Sequence, residues 1–596
     1  MTAAALAVTG ALAGWSSPSL ALRFGSEEQG LTGSFDSTIS FGLIRRMSDA
    51  DCRILGNDSG GCNVGTNNTL HSLVQLQPGG GYANADFNYT NFDDGDLNYK
   101  KGDIVSAALK GTHELSLRAR GGWSSLVRAT WHKDFKVDDT RRLPLNDESK
   151  DIAVDNITLL DAWIAKDFDL GGRRAKVKLG NQVVSWGEDI FILGGVNQVN
   201  AIDLQKFHVP GTQLKEIFIP APMAWASLPV ADSTNVEAYY QFRWNSFKFD
   251  PTGTFFSTAD VVGKGNKPGF LPTSVVEDFF PGTCATLPKG RCGDFVVSGL
   301  TDEENLAAGL AIPYLGERKP KKTGQFGLAL RHFASSLDTE FGFYYQRYHD
   351  KLPFLGFTAD TATGAINGYF LAYGEKRDLY GVSMSTKVGP VAVGAELSYR
   401  PKDSVGIDPT VPFGALGGAP EPNPYAVVDL GAQPGFVVEK KWQLHLTGFY
   451  TFAPNDPLGG LVSALGAADG FILTEAAVTH YPKLDRSGRI PYFLPNYDLP
   501  TKTSWGYVFE LGLNYPNAFD SGITLTPQVD WFHDVGGSSP NTIPFVKGRK
   551  ALTLSLLGNY RDRWKGGLQY VRYSGGGDNN LVRDRDFISA NVQFLF

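Results

Sequence analysis

The 596 residues carry 55 Lys and Arg against 62 Asp and Glu, a formal charge of −7, so the charge balance gives no reason to expect a nucleic-acid partner. Gly at 69 and aromatics at 12%, with only four Cys and four Met, suit tight turns, close strand contacts and interfacial aromatic rings. No stretch beyond residue 21 has the roughly 18 uninterrupted apolar residues of a spanning helix, which excludes a helical membrane protein.

Ala3 to Trp15 form a short apolar run, and Ser19-Leu20-Ala21 has the small-x-small form of a cleavage site. Residues 1–21 are therefore expected to be an export signal, and residues 22–596 a single barrel domain. No Lys or Arg precedes the apolar run, so the true start of the signal is either upstream or lost. Cys52 and Cys62 lie close in sequence, as do Cys284 and Cys292, and four cysteines in two local pairs predict two loop disulfides in an exported chain. Asp93-Asp94-Gly95-Asp96 is dense in carboxylates on a glycine turn. Asp93, Asp94 and Asp96 make a weak Ca²⁺ candidate without EF-hand spacing, and a solvated acidic loop is the stronger expectation. No other metal and no cofactor is expected.

Farther along, apolar residues recur at every second position over stretches long enough to cross a bilayer as strands, which takes about 9–11 residues. Val391 to Arg400, Trp442 to Phe452, Trp505 to Tyr515, Ile523 to Trp531 and Leu552 to Tyr560 all follow this pattern. The last eleven residues do so most clearly: Ile588, Ala590, Val592, Phe594 and Phe596 are apolar, while Ser589, Asn591 and Gln593 in the other phase are polar. The polar phase predicts which side chains face the barrel interior. Arg128 and His132, Glu396 and Arg400, and Glu510 are candidates for the lumen, either as a charged pore lining or as salt-bridged filling.

Connection lengths give a separate test. Short turns are expected near 120–121, 171–172, 231–234, 335–336, 389–390, 516–520 and 561–563. Long connections are expected near 47–102, 137–159, 187–216, 246–322, 350–375, 402–440, 482–503, 535–548 and 575–584. If a strand at about 470–481 is accepted, the two sets alternate without a break, which predicts an all-β transmembrane antiparallel barrel of roughly 18 strands (16 possible), with short turns inside and long loops outside. The inner connection at 454–469 is longer. Asp456-Pro457 there reads as an N-cap and N1 proline opening a short apolar helix, beneath the barrel or tucked into it. Thr301 to Glu304 reads as a capping box.

HExxH, GxSxG, the phosphate-binding P-loop and CxxC are all absent, so no linear motif supports an enzyme. The segment Lys178 to Glu188 (KLGNQVVSWGE), with Val199 to Asp203, Pro210-Gly211-Thr212, Lys215-Glu216 and Pro220 to Met223, resembles a proteobacterial outer-membrane family known as domain of unknown function 1302. Asp93 to Asn98 and Phe255 to Thr258 match as well. The resemblance implies a barrel that handles hydrophobic molecules such as alkanes. It also implies a periplasmic partner of the lipoprotein-carrier type and an inner-membrane transporter of the resistance-nodulation-division class. The family supplies no agreed catalytic residues.

The resulting expectation is an outer-membrane barrel, set in lipid and lipopolysaccharide, that moves hydrophobic or amphipathic small molecules or lipids. A porin for hydrophilic solutes is the alternative, and a barrel-anchored surface enzyme or adhesin the second. The loop at 246–322 is expected to obstruct the lumen, with Phe279, Phe280, Leu306 and Leu310 offering apolar contacts to a substrate.

Overall fold

The computed structural model describes residues 22–62, 88–359, 366–407, 435–486, 490, 492, 494–496 and 498–596. The export signal expected at 1–21 lies outside them. Strands β1 (Leu31–Arg46), β2 (Ile104–Ala119), β3 (Trp123–Asp134), β4 (Asp155–Leu170), β5 (Arg173–Gln182) and β6 (Ala221–Ala231) open the sheet. They are followed by β7 (Thr234–Gln241), β8 (Gln325–Ala334), β9 (Thr339–Tyr348), β10 (Arg377–Val388), β11 (Val391–Gly406) and β12 (Phe436–Phe452). The last six are β13 (Asp469–His480), β14 (Thr503–Ala518), β15 (Ile523–Gly536), β16 (Lys550–Tyr560), β17 (Trp564–Ser574) and β18 (Phe587–Leu595).

Each strand pairs antiparallel with the next, and β18 returns to β1 in the register Ile39↔Phe594 and Phe41↔Val592. The result is a closed 18-strand antiparallel barrel. The sheet holds 19 strands because a short N-terminal strand, Leu22–Ser26, pairs with Leu31–Phe35. It lies along the part of β1 that β18 leaves free. Ser37 and Phe596 exchange both backbone hydrogen bonds, at 2.8 and 3.0 Å, so the terminal aromatic takes part in closure. Closure leaves no strand edge to meet lipid unpaired, which is the condition for a sheet to span a bilayer.

The alternation separates the two faces as the sequence predicts. Leu444, Leu446, Leu554 and Leu556 stand exposed on the outside, while Gln443, His445 and Glu475 are buried inside. An aromatic ladder of Tyr345, Tyr380, Tyr399 and Trp442 crosses β9 to β12 toward the long-loop end, with Tyr399 and Trp442 4.3 Å apart. Phe594, between Trp564 and Phe596, supplies rings at the short-turn end. An apolar band edged by aromatics on a closed barrel places the protein in the bacterial outer membrane, with short turns toward the periplasm. The turns themselves are conformationally exacting. Gly171 and Gly172 both have positive φ (62° and 82°), the geometry whose twist matches a tight hairpin.

The inner helix departs from expectation. It spans Gly459–Leu465 with Leu458 at the N-cap, and Asp456 instead accepts a hydrogen bond from Ala453 N at 2.7 Å. It lies neither beneath nor inside the barrel. Val462 packs with Phe452 and Leu513 on the outer face at the periplasmic edge, and Leu461 and Leu465 stay exposed toward the membrane interface.

Candidate functional site in the barrel lumen

The connection from β5 to β6, residues 183–220, folds into the lumen and is fastened there by side chains from distant strands. Glu396 on β11 accepts from Glu188 N at 2.8 Å and Val196 N at 2.6 Å. Glu475 Oε2 on β13 accepts from three consecutive backbone N–H groups, those of Ile190, Phe191 and Ile192. Its other oxygen meets His445 Nδ1 at 2.6 Å. His445 in turn contacts Gln443, whose amide donates to Leu193 O at 2.9 Å. Arg400 donates to the carbonyls of Gly194 and Gly195, and Gln346 donates to Val196 O at 2.6 Å.

These contacts explain the glycines. Gly187 has φ +91°, and a Cβ there would lie 2.1 Å from Glu396 Oε2; one at Gly195 would lie 2.3 Å from Glu396 Oε1. Only a bare backbone can approach the carboxylate so closely. Trp186, beside Gly187, packs against Tyr239 and Tyr344 and donates its indole N–H to Glu237 at 2.7 Å. Burial, with the Glu396 carboxylate facing it, pushes the Glu188 carboxyl up to about 7, although Arg331 pulls the other way.

The far end of the loop reaches the opposite wall. Lys110 on β2 donates to Gly211 O at 3.0 Å and to Thr212 Oγ1 at 3.1 Å, and it pairs with Glu216. Thr112 donates to the other oxygen of Glu216 at 2.6 Å. On β1, Gly42 lets the tip in: a Cβ there would fall 2.4 Å from Pro210 Cβ.

Between this tip and the inner faces of β13, β15 to β18 and β1 lies a cavity of about 1080 Å³, counting its open mouth. Phe207, Val209, Pro210, Phe256, Phe471, Leu557 and Phe587 supply its apolar surface. Thr526, Gln528, Gln569, Ser589, Asn591 and Gln593 supply uncharged polar groups. Among the described residues no carboxylate lines it, and Lys565 is its one Lys or Arg. Two smaller spaces, of about 600 and 370 Å³, lie toward the extracellular side, and both share His208 and Phe256 with the main cavity. Those two rings stack at 4.0 Å, and His208 Nδ1 is 2.8 Å from Asp250. The stacked pair therefore partitions the route through the lumen.

Of the residues singled out from the sequence, Glu396 and Arg400 anchor the inserted loop. Arg128 instead bridges neighbouring strands, pairing with Glu114 at 2.7 Å and Asp161 at 2.6 Å. His132 is buried near Ala153 O, and Glu510 faces Asp530 across β14 and β15. Sequence reasoning missed Glu475, His445, Gln443, Lys110 and Glu216. For the four on strands the sign was a polar residue in the inward phase, and for Glu216 its place in the family-like Lys215-Glu216 pair.

The expected plug needs correction. The apolar pieces of 246–322 divide among separate small cores rather than forming one patch. Val276 and Leu310 pack on the Cys284–Cys292 disulfide in a small core of their own, with Leu306 half-buried. Phe280 is 67% exposed, and the Phe279 side chain lies outside the described residues. Among the described residues, the first part of that loop, around Phe255 and Phe256, joins the lumen filling. Cys52 and Cys62 are also bonded, with Cα atoms 5.2 Å apart. The acidic turn is not solvated: Asp93, Asp94 and Asp96 are all buried.

The model of the family described as "Protein of unknown function (DUF1302)" matches residues 2–596. The chain belongs to that family. A search of curated proteins finds no match. Solved structures that resemble the DUF1302 chain include OccAB1 of Acinetobacter baumannii, at 9% identity over 98% of this chain and 99% of that one, with a TM-score of 0.38. The outer membrane protein opdK of Pseudomonas aeruginosa gives 9%, 95%, 98% and 0.38. OmpF of Salmonella typhi in complex with daunomycin gives 6%, 96%, 100% and 0.33. Likeness at this level carries no inference about function.

Proposed function

We propose that this barrel is a non-enzymatic conduit for hydrophobic or amphipathic small molecules or lipids. The observation that carries the reading is the lumen cavity, whose phenylalanines and aliphatic groups alternate with uncharged polar side chains and contain no carboxylate. Such a lining can desolvate an apolar body and hydrogen-bond a hydroxyl or carbonyl in the same place. A bare ion finds few charged partners there. Lys565, toward the periplasmic turn, suits an acidic headgroup. A carrier of the lipoprotein type in the periplasm and an inner-membrane transporter would complete the path, and both remain part of this proposal. The neutral polar residues also favour a second reading, passage of small hydroxylated solutes.

Reconstitution distinguishes the two. Purified protein in planar bilayers should show little ionic conductance while binding a fluorescent long-chain fatty acid. Phe256→Ala should join the upper and lower spaces and speed uptake in liposomes. Large steady conductance with no amphiphile binding would defeat the proposal and favour the porin.

A further inference from the structure

Asp93 and Asp94 lie on the first extracellular loop and Asp260 on the loop between β7 and β8. The loops come together at Gly95, where a Cβ would fall 2.4 Å from Thr254 O and 2.6 Å from Ser257 O. Asp93 N donates to Asp260 Oδ2 at 3.1 Å. One carboxylate oxygen from each of Asp93, Asp94 and Asp260 lies within 4.8 Å of the other two, and the three residues are only 1%, 4% and 2% exposed.

Among the described residues, no basic side chain sits at ion-pair distance from any of them. The nearby cations are already engaged: Arg142 by Asp294 at 3.0 Å, Lys267 by Asp302 at 3.5 Å, and Arg46 and Arg585 by Asp96. A separate observation points to a ligand. Asp93 Oδ1 and Asp260 Oδ1 are buried and receive no hydrogen bond. Buried carboxylate oxygens without a donor or counter-charge are costly, and two of them beside a third carboxylate compound the cost.

We propose that Asp93, Asp94 and Asp260 hold one divalent cation of the Ca²⁺ kind, locking the first extracellular loop to the loop that carries Phe256. The donor set is oxygen only, as hard cations require. Ca²⁺–oxygen distances of about 2.3–2.6 Å span the observed spacing. Asp96 is not counted among the ligands, because its Oδ1 already pairs with both Arg46 and Arg585. The ion would hold Phe256 over the cavity from outside the lumen.

The test uses full-length protein refolded in detergent, free of lipopolysaccharide and stripped with chelator. Calcium titration by calorimetry should give one ion per chain, and Asp260→Asn should weaken it at least tenfold. No binding, or equal binding by D260N, would overturn the site. If D260N does not refold, hydrogen exchange on the unaltered protein decides. Calcium should slow exchange in 90–98 and 254–262, and a pattern that leaves both segments unchanged would refute the assignment.

Discussion

Replacing Glu475 with Gln should release the inserted loop while leaving the barrel intact. The carboxylate oxygen that receives three loop N–H groups is fully buried, and its partner oxygen is held by His445. A glutamine keeps the shape but loses the charge. Its NH₂ group also turns a donor toward other donors or toward His445. Hydrogen bonds to a charged group contribute about 1.5–3 kcal/mol each. The glutamine oxygen still accepts some of them, so the loss is less than their sum. Breaking one side of a buried charged arrangement costs about 3–5 kcal/mol, which is the expected loss of loop docking here. At about 1.4 kcal/mol per factor of ten, the docked-to-released ratio falls by about two to three and a half orders of magnitude. Glu396 holds the same segment, so E396Q combined with E475Q should couple rather than add. The assay pairs single-channel recording with hydrogen exchange over 188–196. Conductance should rise and exchange should quicken, while the heat-modifiable barrel band on gels is unchanged. Unaltered conductance and exchange in a correctly folded E475Q barrel would refute the anchoring argument.

Three further outcomes are expected. Glu188 has its carboxyl raised to about 7 by burial and by Glu396, with Glu340 adding to the effect and Arg331 opposing it; its neighbour Asp189 is raised by burial and by Glu396 and Glu475. A raised acid favours docking fully below its free value of about 4.5 and loses that contribution progressively as pH climbs to about 7, so conductance should grow between about pH 4.5 and 7 and level off above, and E188Q should flatten the profile. Reduction of Cys284–Cys292, or its replacement by two alanines, should loosen 271–310 in limited proteolysis without moving the barrel's melting temperature, because that core is separate from the strands. Leu446→Arg, on the outward face, should cost about 2–4 kcal/mol of barrel stability in urea unfolding from liposomes, and a neutral result would place that face away from lipid.

The barrel was legible because lipid imposes a period of two on every strand, and Leu444-His445-Leu446 or Val592-Gln593-Phe594 can hardly be read otherwise. The two cysteine pairs were legible from proximity. The inserted loop was not. Residues 183–220 have no periodicity to show where they go, and the side chains that hold them belong to strands far away in sequence. The inward phase marked Glu396 and Arg400 as lumen-facing but could not show that their partners are backbone groups of one loop. The apolar pieces near 275–310 misled for a different reason. Val276, Leu310 and one disulfide suffice for a small satellite core, and composition cannot tell such a core from a plug. The acidic turn shows a third limit. Asp93 to Asp96 reads as solvated until Asp260, Arg46 and Arg585 arrive from three other parts of the chain.

The two walls of the lumen are chemically unlike, and that difference is the strongest structural support for a defined route. The loop is fastened by Gln346, Arg400, Glu396, Gln443 and Glu475 on β9 to β13, and its tip by Lys110 on β2. Charge on that side is consumed in holding backbone. The inner faces of β15 to β18 carry Thr526, Gln528, Gln569, Ser589 and Gln593 beside the cavity, with Lys565 their one basic group there. A barrel of this strand number would be an open aqueous channel if left empty. With the body of the loop held on β9 to β13 and its tip on β2, the main cavity runs along β15 to β18 and β1. A solute passing there meets apolar rings and neutral hydrogen-bonding groups, screened by the loop itself from the anchoring carboxylates. Exchanging Gln569 for Glu would put a charge on the conduit wall without touching an anchor. If the route runs where the cavity lies, this change alone should depress amphiphile uptake while leaving loop exchange rates as they were.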